Sequence, residues 1–219
     1  YMRCEKRFYY KYVEGLKEPD EIDEDEVDNR VFGNIFHRAA ELFYLRFVSP
    51  SNLVKDAKGK TTFKKPVVIT EHDMDEALKD TSLVYRLVEQ AFKEELFKVT
   101  DNDFKPKYNG LQLINKEVIA SYLRQLITID SRNAPFTILG LELVVSKDIE
   151  VHLGEGNRTF KVGGFIDRLD AIPEHGSSMA QHIRVIDYKT GAVPQTHPKE
   201  LAEVFDPSKL NKHTDYYLQ

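Results

Sequence analysis

Up to residue 133, apolar residues recur at intervals of three and four, the spacing of amphipathic helices. In the 27–48 stretch this spacing begins just after Asp28 and Asn29, either of which can cap a helix start. The same spacing is found in CEKRFYYKYV (4–13), TEHDMDEALKD (70–80), SLVYRLVEQAFKEELFKV (82–99) and NGLQLINKEVIASYLRQLITIDSRN (109–133). The first part of the chain is therefore predicted to be helical.

After Pro135 the pattern changes to alternating or continuously apolar runs, which indicate strands. Three successive strands are predicted in FTILGLELVVSKDIEVHL (136–153), RTFKVGGFIDRLDAI (158–172) and HIRVIDYKTG (182–191). A hairpin turn is predicted at 154–157 and a polar loop at 173–181. The coarse order of elements is therefore helices, then a sheet meander, then a helix again.

Composition narrows the class of protein. A chain of 219 residues with 41% apolar residues can bury the core of one large domain. No apolar run approaches the roughly 18 residues needed to span a bilayer, so no membrane association is expected. A single Cys favours a reducing compartment, and a cytoplasmic location is expected.

Charge is unevenly distributed. The 14–28 segment holds nine acidic residues and one Lys, a local charge of −8, within a chain of net charge −5. The remainder is therefore mildly basic, at +3, which permits DNA binding. The acidic segment is typical of a solvated loop, with a partner-binding tail as the alternative.

The strand at 182–191 carries the first candidate chemistry. Asp187 and Lys189 follow its apolar run, and side chains two apart on a strand project to the same face. A salt bridge at a strand end is the simpler interpretation. The D-x-K pattern is weak alone, because it recurs at 56–58 and 103–105 in loop-like surroundings.

The neighbouring strand strengthens the signal. Asp167 lies near its end, behind Gly163 and Gly164, which allow either a close backbone approach or a bulge. A short loop would bring Asp167 and Asp187 together, where each carboxylate raises the pKa of the other unless a cation intervenes. This cation could be the ammonium of a Lys, but Mg²⁺ or Mn²⁺ is the better candidate because these ions prefer carboxylate oxygen ligands.

These motifs resemble the PD-(D/E)XK nuclease superfamily, and specifically its RecB/AddB-like exonuclease family. GGFIDRLD followed by RVIDYKTG is similar to the family core, 33–37 matches its G-x-x-x-H motif, and YMRCEKRFYYKYV is similar to its opening helix. The resemblance covers 1–219 and implies a single nuclease domain. The implied fold class is α/β, with a restriction-endonuclease-like mixed β-sheet flanked by α-helices and an N-terminal helical region.

The resemblance also implies roles for individual residues. Asp167 and Asp187 match the metal-binding carboxylates, and the backbone carbonyl of Tyr188 is a further oxygen ligand. Lys189 matches the catalytic Lys, which positions the attacking water and offsets charge in the transition state. His37 matches an additional metal ligand; its alternative is a helix histidine packed against the sheet.

Other polar residues near these motifs receive structural expectations. Glu41 follows His37 by one helical turn and either orients it or is an ordinary surface acid. Asp170, Arg168 and Glu142 are expected to be structural or DNA-facing at best.

Two departures from the family pattern change the expectations. Cys4 matches the first ligand of an iron–sulfur cluster found in some members, but no second Cys is present. No cluster is therefore expected within this chain, and Cys4 is expected to pack as a small apolar side chain. Gln219 matches the start of a DNA-facing Q-x-x-x-Y motif whose Tyr is absent. We expect a fragment of a longer protein that folds but cleaves DNA poorly.

The function implied by the resemblance is Mg²⁺- or Mn²⁺-dependent DNA cleavage, exonucleolytic and linked to bacterial recombination and repair. The implied partners are DNA and a helicase subunit, or a helicase region of the same polypeptide. A catalytically silent nuclease-fold module that binds DNA ends or a helicase subunit is the main alternative. A CRISPR-adaptation nuclease is a weaker one.

Overall fold

The architecture is that of a computed structural model, which describes residues 4–16, 27–55, 61–101, 103–152, 154, 156–173, 181–191, 198–204, 206 and 208. The chain forms two compact units, one of residues Asp25–Thr190 and one of its two terminal segments, Tyr1–Glu24 and Gly191–Gln219. The expectation of a single domain stays a prediction.

The larger unit contains four long or medium helices: α2 (Asn29–Leu45), α3 (Glu71–Lys79), α4 (Leu83–Glu95) and α5 (Gly110–Ser131). All four were predicted from the sequence, α3 from the Thr and acidic residues at its start. Asp28 caps α2, because its Oδ1 accepts the Val31 N–H at 2.6 Å. Thr70 and Asn109 begin α3 and α5 with reciprocal capping boxes.

In the described residues, six strands form two antiparallel sheets. The short strands β1 (Leu53–Lys55) and β2 (Thr61–Phe63) pair with each other. The main sheet has the order β3-β4-β5-β6, with strands Val67–Ile69, Phe136–His152, Asn157–Pro173 and Gln181–Ile186. The predicted fold class is confirmed, although every described pairing is antiparallel, so the sheet shows no parallel pair of the kind a mixed sheet contains.

The hairpin of β4 and β5 dominates the sheet. Its register runs from Thr137 opposite Ala171 to His152 opposite Asn157, with one irregularity between Ile138 and Gly140. A Cβ added to Gly163 would lie 2.4 Å from the Val145 carbonyl oxygen, so β4 is the backbone that approaches this glycine.

One hydrophobic core joins the helices to the sheet. Its fully buried members come from every layer: Phe43 on α2, Met74 on α3, Phe92 on α4, Leu123 on α5, and Ile69, Phe136 and Ile138 on the sheet. This core packs the helices against β3 and β4, and β4 is paired with β5, the strand that carries Asp167.

The strand prediction at 182–191 was too long at its end. β6 ends at Ile186, where it pairs with Arg168, and 187–190 has no regular secondary structure. Asp187 and Lys189 therefore leave the strand instead of continuing it, but their side chains still meet.

The terminal unit contains α1 (Glu5–Phe8), a π-helical turn (Tyr9–Val13) and α6 (Leu201–Val204). Cys4 is exposed and its Sγ accepts from the Arg7 N–H at 3.5 Å, so the expectation that it packs as a buried apolar side chain was wrong. In the described part of the chain, no helix combines the length and apolarity needed to cross a bilayer.

Candidate metal centre

His37 and Asp167 meet where α2 crosses β5. The His37 Nδ1 lies 3.4 Å from Asp167 Oδ1, with the His37 side chain 29% exposed and that of Asp167 8% exposed. Gly33 lies one turn earlier on α2, and a Cβ at that position would be 3.5 Å from Thr190 Oγ1. The G-x-x-x-H segment thus lies beside both predicted motif regions.

Tyr188 connects these two residues through its backbone. Its carbonyl oxygen is 2.9 Å from His37 Nε2, and its N–H donates to Asp167 Oδ2 at 2.6 Å. The Tyr188 ring packs edge-on against Phe36 and His37 at centroid distances of 5.8 and 5.7 Å. The segment after β6 is therefore held against both α2 and β5.

Glu142 completes a three-residue group that the sequence interpretation had not placed in the site. Leu141 pairs with Arg168 and Leu143 with Ile166, so the register sets Glu142 opposite Asp167. One ligand atom each from His37, Glu142 and Asp167 lies within 4.8 Å of the others. The φ of Glu142 is +49°, which is costly for a non-glycine residue and is concentrated at functional sites.

Asp187 and Lys189 form a pair at the edge of this group. Lys189 Nζ is 2.6 Å from Asp187 Oδ2, and both side chains are partly exposed. Among the described residues, Asp187 is not a member of the His37–Glu142–Asp167 group. The structure thus brings together three of the four predicted ligand residues, His37, Asp167 and Tyr188, and leaves the Asp187 carboxylate on Lys189.

Electrostatics couple the members of the group. Burial works against ionisation of Asp167, but the hydrogen bonds from His37 and from the Tyr188 N–H, with the charges of His37 and Lys189, lower its pKa. Burial likewise works against protonation of His37, yet Asp167, the Tyr188 carbonyl and the charge of Glu142 raise its pKa. The site therefore favours a cation between its carboxylates.

Comparison with known protein families identifies the superfamily of this chain. The family model of the PD-(D/E)XK nuclease superfamily matches residues 1–208. The chain belongs to this superfamily. The searches of curated proteins and of solved structures gave no match.

The donor set of this PD-(D/E)XK chain fits a divalent ion. Nucleases of the superfamily use divalent metals, and the chain presents two carboxylates, one imidazole and one backbone carbonyl at a single place. Carboxylate and carbonyl oxygens suit Mg²⁺ and Mn²⁺, and imidazole is compatible with Mn²⁺. His37, Glu142, Asp167 and the Tyr188 carbonyl are the groups that could hold it.

A cavity of about 430 Å³ opens beside the site and is lined in part by His37, Glu142 and residues of α2 and α4. Arg38 crosses it, with Nη1 2.7 Å from Glu41 and Nε 2.5 Å from Glu94. Glu41 is only 5% exposed, so the surface-acid interpretation of this residue was wrong.

Arg168, next to Asp167, points away from the site into the core. It is fully buried, with Nη1 2.6 Å and Nη2 3.1 Å from the Asp130 carboxylate and Nε 3.2 Å from Asp170. Its guanidinium lies 4.4 Å from the centre of the Tyr44 ring. Arg168 and Asp170 are therefore structural and do not face DNA.

The remaining positions singled out in the sequence are Gln219 and two further D-x-K patterns. Gln219 is outside the described residues, and the D-x-K pattern at 56–58 is too. The pattern at 103–105 lies in a loop, as expected.

Proposed function

We propose that this chain is a metal-dependent DNA nuclease of the RecB/AddB-like branch of its superfamily. The observation that carries the proposal is the convergence of His37, Glu142 and Asp167 within 4.8 Å, in a chain whose residues 1–208 match the superfamily. The motif order of the sequence supports the branch.

We assign each site residue a role in metal binding. His37, Asp167 and the Tyr188 carbonyl would hold Mg²⁺ or Mn²⁺, with Glu142 as a ligand that the sequence did not predict. Asp187 remains a proposed further carboxylate ligand. When bound, the ion would supply Lewis-acid stabilisation of charge on the phosphate oxygens.

Lys189 would act on the reacting phosphate. The positive charge of the Lys189 ammonium contributes to the lowered pKa of Asp167, so this charge acts electrostatically at the site. Phosphodiester hydrolysis requires a barrier reduction of about 20 kcal/mol, and fixed positive charge where anionic charge develops is a major source of it. Asp187, bonded to Lys189 at 2.6 Å, would orient the amine.

The finer functional predictions extend this proposal. Exonucleolytic cleavage, a role in recombination and repair, and a helicase partner are supported by the motif resemblance alone. A DNA-facing role of Gln219 has the same support. The preference for DNA is proposed on the same basis.

The test is hydrolysis of linear DNA by the protein at its full natural length. We expect Mg²⁺- or Mn²⁺-dependent release of nucleotides, which Lys189→Ala abolishes while DNA affinity changes less than about threefold, because a transition-state interaction affects turnover. Lys161→Ala, on an exposed part of β5, is the matched control and should remain active. DNA binding without nucleotide release under any divalent ion would favour the catalytically silent module instead.

A further inference from the structure

The distal half of the β4–β5 hairpin extends beyond the rest of the sheet. β3 reaches only as far as Ile138 on β4, and β6 only as far as Arg168 on β5. Nine further residue pairs, from Val144–Phe165 to His152–Asn157, form a two-stranded ribbon. At about 3.4 Å per residue it is roughly 30 Å long.

The two faces of this ribbon differ in chemistry. Alternation along paired strands assigns every second residue to the same face. One face, here termed the apolar face, carries Val145, Ile149, Val151, Phe160 and Val162, which are between 37% and 55% exposed. The opposite face carries the polar or charged residues Ser146, Asp148, Glu150, His152, Asn157, Thr159 and Lys161. Its apolar side chains, Val144 and Phe165, are 68% and 71% exposed and lie together at the end of the ribbon nearest the rest of the sheet.

The charges on the apolar face have one sign. Lys147 and Arg158 lie on it, in register with Val162 and Val151 respectively, and the described ribbon places no acidic residue there. Asp148 and Glu150 both lie on the opposite face. The apolar face is therefore a hydrophobic strip with two cations.

A ribbon of this kind is incomplete by itself. An isolated two-stranded hairpin is at best marginally stable in water, and contiguous exposed apolar patches mark interaction sites. We propose that the apolar face binds an amphipathic helix of a partner protein whose apolar stripe is bordered by Glu or Asp. The proposal does not depend on the nuclease activity.

Length and charge favour this occupant. A helix of about 20 residues is about 30 Å long at 1.5 Å per residue and matches the ribbon. Its acidic border would pair with Lys147 and Arg158. The strip is smaller than a standard protein interface, so micromolar, exchangeable binding is expected.

The same observations disfavour the two other occupants. A nucleic-acid strand carries a phosphate about every 3.4 Å, so about nine phosphates would face two cations. Four of the five apolar side chains are aliphatic and offer no ring for base stacking. A second copy of the ribbon would place its own cations against Lys147 and Arg158.

The experiment measures fluorescence anisotropy of three labelled probes with the purified protein. They are a 20-residue helical peptide with a Leu stripe bordered by Glu, the same peptide bordered by Lys, and a 20-nucleotide single strand of DNA. We expect micromolar binding of the Glu peptide and at least tenfold weaker binding of the Lys peptide. Phe160→Ser with Val162→Ser should weaken Glu-peptide binding at least tenfold, whereas Thr159→Ser with Lys161→Ser should not.

A charge-reversed ribbon makes the test decisive. Lys147→Glu with Arg158→Glu should reverse the preference toward the Lys peptide, while the Tm of the protein stays unchanged as a check of folding. The proposal fails if neither peptide binds, or if both peptides bind equally. It also fails if the apolar-face variants abolish DNA binding instead, or if they abolish only self-association of the protein.

Discussion

Asp167 and Arg168 are adjacent on β5, but they belong to two different regions of the molecule. Asp167 faces His37 and Glu142, which line a cavity, and a metal ion could replace or share these partners. Arg168 is enclosed by Asp130, Asp170 and the Tyr44 ring, with no exposed surface. The pleat of one strand thus separates a site that can exchange ligands from a fixed ionic cluster.

The carboxylates of the two regions show the same difference. Burial raises the pKa of Asp170, and the charges of Arg168 and Arg184 do not fully offset it. At Asp167 burial acts in the same direction, but His37, the Tyr188 N–H and Lys189 outweigh it and lower the pKa. Asp167 is therefore kept ionised, as a metal ligand must be.

The largest expected effect is a loss of stability when the ionic cluster around Arg168 is broken. Arg168→Met should lower the free energy of unfolding by about 3–5 kcal/mol, because Asp130 would stay buried without its cation and Asp170 would keep only Arg184. Denaturant unfolding measures this change. Lys161→Met, on the exposed ribbon, should change it by less than about 0.5 kcal/mol. A loss below about 1 kcal/mol in Arg168→Met would show that the cluster is not a structural anchor.

At Asp167 we expect the opposite result, a loss of metal affinity with little change in stability. Asp167→Asn should weaken Mn²⁺ binding in calorimetric titration by at least about a hundredfold, because losing even outer partners of a ligand costs 10–100-fold. The amide oxygen can still accept from the Tyr188 N–H, so unfolding should change little. Asp148→Asn on the ribbon is the control. If Asp167→Asn lost stability but kept its metal affinity, Asp167 would have a structural role like that of the Arg168 cluster.

Glu142 is expected to bind the metal, unlike the exposed acidic residues of the ribbon. Glu142→Gln should weaken Mn²⁺ binding about tenfold or more, since it removes a charge but keeps the side-chain shape. Glu150→Gln, further along β4 on the exposed ribbon, should bind Mn²⁺ normally. Unchanged affinity in Glu142→Gln, with loss in Asp187→Asn, would restore the ligand set expected from the sequence.

The smallest effect concerns pH. Burial would lower the pKa of His37, but Asp167, the Tyr188 carbonyl and Glu142 raise it above about 6.5. The stability contributed by protonated His37 is therefore complete below about pH 6.5 and is lost as pH rises through the raised pKa. Because the metal must displace this proton, the Mn²⁺-induced rise in Tm should grow over the same pH range.

The control for this prediction is His37→Gln, which has no titrating ring. Its Mn²⁺-induced rise in Tm should be small and nearly independent of pH between 6 and 8.5. An equally steep pH dependence in this variant would mean that another group titrates.

The helices α2 to α5 and the strands β4 to β6 could be predicted because each is long enough to show its own period or a clear end signal. The strands β1, β2 and β3 have three residues each, too few for a period to be detected. The end of β6 at Ile186 depends on the hydrogen bond between the Tyr188 N–H and Asp167, a contact 21 residues apart in the chain.

The candidate site shows the same limit. Asp167, His37 and Lys189 lie in recognisable motifs, whereas Glu142 lies in a plain apolar strand, GLELVV, and looked structural. The signal that identifies it is its left-handed φ together with its register opposite Asp167, and both need coordinates. The pairing of Arg168 with Asp130, 38 residues apart, likewise had no local signature.

The central claim is that His37, Glu142 and Asp167 form a divalent-metal centre. The most direct test is pulsed electron paramagnetic resonance of Mn²⁺ bound to the protein, which detects nitrogen coupled to the ion. The account predicts modulation from one imidazole nitrogen in the unmodified protein and its disappearance in His37→Gln. Nitrogen modulation that persists unchanged in His37→Gln would contradict the account and place the metal elsewhere.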